Sequence, residues 1–274
     1  MMDILQFEFM RNAFAAGLLA SIACGVIGTL VVVNRLVFLS GAVAHTAYGG
    51  LGLASFMGWP VMPCAVGFSL AASGAMAAVT ARDRHRSDTL IGVMWAGGMA
   101  FGILLLDFTP GYNVDLMSFL FGSILAVPVQ DLWVMAGLDC AILLTTLIFY
   151  KNFEALSYDC EFAEVRGVPV VGLYFLLLAM VGVSVVMIIR VVGLILVIAL
   201  LSIPPGIAIH RTNSLLGMMW RSTLLAALFC CVGLICAYHF DLTSGASIIA
   251  VAVVSYLFIG VYDFFMKKRG FIAR

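Results

Sequence analysis

LVFLSGAVAHTAYGGLGLASF, residues 36–56, contains no Asp, Glu, Lys or Arg. About 20 apolar residues at a rise of about 1.5 Å cross the hydrocarbon core of a bilayer, so the stretch reads as a membrane span. In its middle stands His45, an ionisable ring where an unpartnered polar group is costly. Gly41 and Gly49 flank it by one helical turn on each side, on the same helix face. With no side chain above or below, the imidazole is expected to stand in a slot that a neighbouring backbone approaches closely. A polar group at this depth faces either a partner or a water-filled path, which makes it a functional candidate. The plainer alternative is a packing histidine that gives one hydrogen bond to a neighbouring helix.

The rest of the chain has the same character. Of its 274 residues, 64% are hydrophobic and 10% charged, against about 25% charged in soluble domains. This composition excludes a large soluble core and implies an all-α polytopic bundle, a single membrane domain over residues 1–274. The formal net charge of zero excludes nucleic-acid binding through overall basicity. The opening MMDILQFEF has neither a basic leading region nor a small-residue cleavage site, so no cleavable signal peptide is expected. The seven cysteines form no CxxC pair and mostly lie inside apolar runs, which reads as packing and not as a zinc site or disulfide framework.

Apolar spans are predicted at 12–33, 36–56, 61–81, 89–107, 130–150, 170–189, 192–209, 214–238 and 243–265. Gly58-Trp59-Pro60 closes the second with a turn and an interfacial aromatic. Gly98 and Gly102 give the fourth a small-residue packing face. The segment 108–129 opens too polar for lipid and continues as LMSFLFGSILAV, twelve residues that suit a re-entrant or interfacial half-helix. Asp139 falls well inside the fifth span, where a Ser, Thr or Arg from another span is its expected partner. Collecting Arg35, the loop RDRHRSD (82–88), the loop 151–169, Arg211, Arg221 and the C-terminal basic cluster on one side places 12 of the 14 basic residues there. That side is the cytoplasm by the positive-inside rule. Nine spans put the N-terminus outside; a bent or re-entrant early span would leave eight. No internal repeat is visible.

The longest polar stretch, KNFEALSYDCEFAEVRGVP at 151–169, is expected to hold a short amphipathic helix. Glu154, Asp159, Glu161, Glu164 and Arg166 occupy its polar positions, Phe153, Phe162 and Val165 its apolar ones, and Gly167-Val168-Pro169 ends it. Such a helix between spans suits docking onto another protein, although a solvated loop would have a similar composition. No GxxxxGK[ST] phosphate-binding loop occurs in the chain, so any ATPase that drives it is a separate subunit.

Six segments in succession give the chain a specific resemblance. They are SGAVAHTAYGGLGLA (40–54), SDTLIGVMWAGGMAFGILLL (87–106), DLMSFLFGSILAV (115–127), YDCEFAEVRGV (158–168), VVGLILVIALLSIPPGIA (191–208) and HFDLTSGASI (239–248). Together they resemble the permease subunits of the ABC-3 family, the bacterial importers of zinc, manganese and iron. The resemblance implies a type II ABC importer-like fold of eight or nine spans plus the half-helix, without enzymatic activity or cofactor of its own. It implies a multi-pass homodimer in the bacterial cytoplasmic (inner) membrane, with each copy docking an ABC ATP-binding subunit. An extracytoplasmic metal-binding protein would deliver the divalent cation, which is the substrate.

The resemblance further implies that 151–169 is the coupling segment, with Asp159, Glu161, Glu164 and Gly167 its contacts to the ATPase. It makes His45 a gate residue on the path, with Gly41 and Gly49 packing around it. Family members carry an Asp four residues before this His, where this chain has Gly41. Loss of that oxygen ligand leans the site towards nitrogen ligation and zinc ahead of manganese or iron. Asp115, before the half-helix, and His239 with Asp241, at the outer end of the penultimate span and close enough to cooperate in a loop, are the remaining candidate metal contacts. A permease for metal chelates or cobalamin-like ligands, or an ion-gradient-driven transporter with Asp139 as proton relay, is the alternative.

Overall fold

A computed structural model describes residues 6–82, 87–109 and 124–272. Its helices are α1 (Glu8–Val33), α2 (Val37–Met57), α3 (Val61–Arg82), α4 (Ser87–Asp107), α5 (Val129–Ile148), α6 (Tyr150–Tyr158), α7 (Cys160–Val165), α8 (Val170–Val192), α9 (Leu194–Ala208), α10 (Leu215–Phe240) and α11 (Ser244–Ile272). Eight of them are long and apolar enough to cross a membrane; α4, apolar over Ile91–Asp107, is slightly shorter by that measure. These nine coincide with the nine expected spans. The fold is an all-α membrane bundle, and no strand occurs among the described residues.

The first helix is the axis of the bundle. Ala13, Ala16, Ala20, Cys24, Ile27 and Leu30 are fully buried or nearly so. Small residues make this possible, because they let other backbones come close where lipid supplies no hydrophobic drive for helix association. A side chain on Gly25 would meet the backbone of Thr223 at 2.6 Å, and one on Gly28 the carbonyl of Leu201 at 2.6 Å. Thr29 donates to Ser222 at 3.2 Å across the same α1–α10 seam. Outer helices present the reverse pattern. Trp133, Leu144 and Leu147 on α5, and Val254, Leu257 and Phe258 on α11, are exposed apolar residues suited to hydrocarbon.

Helices α2 and α4 run parallel and touch through their glycines. Gly98 packs on Thr46, and Gly102 on the backbone of Tyr48 and on Gly52. The small-residue face expected of the fourth span is therefore its contact with α2. We expect Gly102→Val to destabilise the folded protein in detergent by about 1–3 kcal/mol or more, as overpacking does. Gly97→Ala, whose added carbon meets nothing within 4 Å, should leave the melting temperature unchanged or raise it slightly. Equal effects of the two changes would refute the packing assignment.

Several termini are set by left-handed caps. Arg35 (φ 59°) and Gly58 (φ 69°) close α1 and α2, with Leu36 N–H returning to Val31 at 2.8 Å and Trp59 N–H to Ala54 at 2.9 Å. At one end of the bundle, Asn34 donates to Ser157 at 3.0 Å, and Leu216 N–H donates to the Tyr150 hydroxyl at 3.2 Å. The α1–α2 turn, the 151–169 stretch and the start of α10 therefore share that end, in agreement with the grouping of basic residues.

Four expectations change. The stretch 151–169 forms two short helices, α6 and α7, because Asp159 breaks the first and caps the second. Asp241 is the left-handed end of α10, φ 51°, and His239 lies in the last turn of that helix, so the pair does not sit in a loop. Asp139 is buried, yet its Oδ2 accepts no hydrogen bond from a Ser, Thr or Arg among the described residues. Gly41 faces the Trp95 ring instead of a neighbouring backbone, whereas Gly49 faces the Phe68 ring while Gly102 of α4 approaches its backbone, as described below. Asp115 and most of the expected half-helix lie outside the described residues; its described end is a 3-10 turn at Ile124–Ala126.

Candidate functional site

Between Leu39 and Gly52 every residue of α2 is buried except His45, which is half-buried. The helix is thus clamped on all sides but one, and the opening falls at the imidazole. The α2–α4 packing decides what lines it. Trp95, Gly98, Met99 and Gly102 follow helical spacing, so the glycines that contact α2 bring Trp95 and Met99 to either side of His45. The Trp95 ring stacks on the imidazole, centroids 4.2 Å apart and planes 18° from parallel. The Sδ of Met99 lies 3.1 Å from His45 Nδ1.

The two glycines are beds for rings. A side-chain carbon on Gly41 would touch Trp95 at 3.6 Å and Ile198 at 3.9 Å, while one on Gly49 would collide with Phe68. Phe68 in turn stacks on Phe101 of α4, centroids 5.9 Å apart. Gly41 therefore lets Trp95 lie across α2 where a longer side chain would compete for the space. Trp95, Met99 and Phe68 escaped the reading of the sequence. The glycine spacing of α4 is the signal that could have found the first two.

The remaining candidates are scattered. His239 is exposed and meets Tyr238 edge-on, centroids 5.8 Å apart; Asp241 is exposed at its helix end. Among the described residues no three His, Cys, Asp or Glu side chains gather closely enough to share a metal ion. A cleft of about 740 Å³ between α9 and α11 is lined by Gly206, His210, Arg211, Tyr256, Tyr262 and Asp263. The Arg211–Asp263 ion pair, 3.1 Å, crosses its mouth, and none of the candidate metal contacts lies in it.

A second surface is built on α7. Asp159 caps this helix by accepting from Phe162 N–H at 2.9 Å, and Gly167 ends it at φ 79°, with Val168 N–H returning to Ala163 at 3.0 Å. These two residues thus hold the helix at its ends. Phe153, Leu156 and Ala163 are buried and seat α6 and α7 on the bundle. Phe162 and Val165, two of the apolar positions of the expected docking helix, are 55% and 88% exposed. They stand beside exposed Glu161 and Glu164, with Arg166 over the Phe162 ring. An apolar pair flanked by acids and left uncovered has the composition of a docking surface.

Residues 6–263 match the ABC 3 transport family. The chain belongs to that family. The relatives of this ABC 3 chain include the membrane protein slr2045 of Synechocystis sp., 51% identical over 94% of this chain and 92% of the relative. The manganese transport system membrane protein MntC of Halalkalibacterium halodurans is 31% identical over 99% and 92%. Among solved structures, PsaBC from Streptococcus pneumoniae in complex with Fab superimposes with a TM-score of 0.83 at 30% identity, covering 94% of this chain and 93% of that one. An inward-facing metal-chelate type ABC transporter shares the fold, with a TM-score of 0.71 at 15% identity. The ABC 3 assignment makes the chain a transport permease and not an enzyme, as the succession of segments implied.

Proposed function

We propose that this chain is the permease subunit of an ATP-driven importer of divalent metal cations in the bacterial cytoplasmic membrane, with zinc as its first substrate. It works as a homodimer with a separate ATP-binding subunit and an extracytoplasmic metal-binding protein. The observation that carries the reading is His45, the one residue between Leu39 and Gly52 of α2 that is not buried, in a chain of the ABC 3 transport family. Its ring neighbours are an indole and a thioether, and among the described residues no three His, Cys, Asp or Glu side chains gather at it. Imidazole without hard oxygen donors favours zinc over manganese.

The helices suggest how work reaches the site. The α7 surface receives the ATPase, and Gly167-Val168-Pro169 joins it directly to α8. Helix α8 packs on α3, where Ser69 donates to the Gly182 carbonyl at 3.2 Å. Helix α3 in turn packs on α2, where Gly50 faces the backbone of Ala65. Closure of two ATPase subunits would tilt this stack and open or narrow the passage at His45. One imidazole from each copy supplies two strong ligands where a tight zinc site needs four, so the cation is held weakly enough to leave.

The test is metal accumulation in cells stripped of their own importers, carrying the chain with its ATPase and binding protein. Elemental mass spectrometry should show a rise in zinc. A rise in manganese alone would favour the second reading, which rests on the manganese systems among its relatives. No rise in any metal would overturn both.

A further inference from the structure

The contact between His45 and Met99 carries more than packing. A thioether sulfur has lone pairs to offer and no hydrogen. A ring nitrogen 3.1 Å from it is attracted only if that nitrogen bears the proton; two lone pairs would repel. The neutral imidazole therefore carries its hydrogen on Nδ1, and the lone pair is on Nε2, the nitrogen away from the sulfur. Stacking on Trp95 fixes the plane of the ring, so its remaining freedom, a half-turn that would put Cδ2 where Nδ1 stands and carry Nε2 to the other edge, is what the sulfur opposes.

We propose that Met99 is a positioning residue for transport. It holds the proton on Nδ1 of His45, so that Nε2 is the atom presented to a soft or borderline divalent cation. This rests on the reading of His45 as a residue of the cation path. Histidines that bind metals usually donate their second N–H to a carboxylate, carbonyl or water, which fixes the tautomer and makes the ring a stronger ligand. A thioether does the first and little of the second, being a weak acceptor. The pairing thus orients the ligand without tightening it, which suits an ion that must be released.

Two variants separate orientation from packing. M99L keeps nearly the same volume and loses the acceptor, while M99Q keeps an unbranched chain and restores an acceptor as an amide oxygen. The first readout is the ¹⁵N spectrum of the histidine-labelled protein in lipid, with the His45 signals identified by their absence from H45A. The native protein and M99Q should show the Nδ1–H form, and M99L should move towards the Nε2–H form that free imidazole side chains favour. The second readout is zinc accumulation over a concentration series, which should fall by about tenfold in M99L, as for loss of a supporting group behind a metal ligand, and recover in M99Q. An unchanged tautomer in M99L, or native uptake by M99L, overturns the positioning role while leaving the proposed function standing. Absence of metal uptake by the native chain, with the Nδ1–H signal intact, overturns the proposed function and the transport role of Met99 with it.

Discussion

Zinc accumulation should fall by about tenfold or more when His45 becomes alanine, with the amount of protein in the membrane unchanged. The expectation combines two features that pull apart transport and folding. The ring contributes little to the fold, since its contacts are a stack on Trp95 and one weak N–H to sulfur bond, and alanine is the best helix former. What alanine removes is the one polar group that α2 exposes between Leu39 and Gly52. Membrane abundance by immunoblot and metal content by elemental mass spectrometry, measured on the same cells, decide the matter. Unaltered uptake would reduce His45 to packing. Loss of the protein from the membrane would show that the fold depends on the ring, against the contacts described here.

The second large effect belongs to the α7 surface. Changing both Glu161 and Glu164 to lysine should abolish co-purification of the ATPase subunit and, with it, metal uptake. The two carboxylates are exposed on a helix held by its own caps, so their reversal alters the charge of the surface more than its shape. Like charges brought together at an interface are costly even where the attractive pair contributed little. The E161Q/E164Q protein, which removes charge without reversing it, should retain partial association that is less sensitive to salt than the native complex. Full association of the lysine protein would place the ATPase elsewhere. Intact association with uptake lost would locate the defect in transmission through α8.

How far each site could be read beforehand follows from the range of the interactions that make it. Glu161 and Glu164 were legible because a short acidic and apolar helix between long apolar runs is a local pattern. The division into α6 and α7 was less legible, since it depends on Asp159 capping Phe162 N–H in preference to continuing the helix. His45 was legible because polarity inside an apolar run needs no partner to be noticed. Its surroundings were not, since Trp95 and Phe68 arrive from two different helices, and glycines that suggest a backbone contact serve equally well beneath an aromatic ring.

The sequence by itself determined the extent of the apolar runs, eight or nine spans in all, the end of the bundle at which positive charge collects, and the family. These rest on runs of apolar residues, on basic side chains excluded from lipid and on a succession of motifs, each readable along one dimension. The tertiary structure decided which helix lies at the axis, that α2 pairs in parallel with α4, and that a thioether and an indole flank the imidazole of His45. In a bilayer almost every span is apolar on all faces, so hydrophobicity cannot choose neighbours. Close approach of small residues does, as where Gly102 meets Tyr48 and Gly25 meets Thr223, and that fit exists only between helices already assembled.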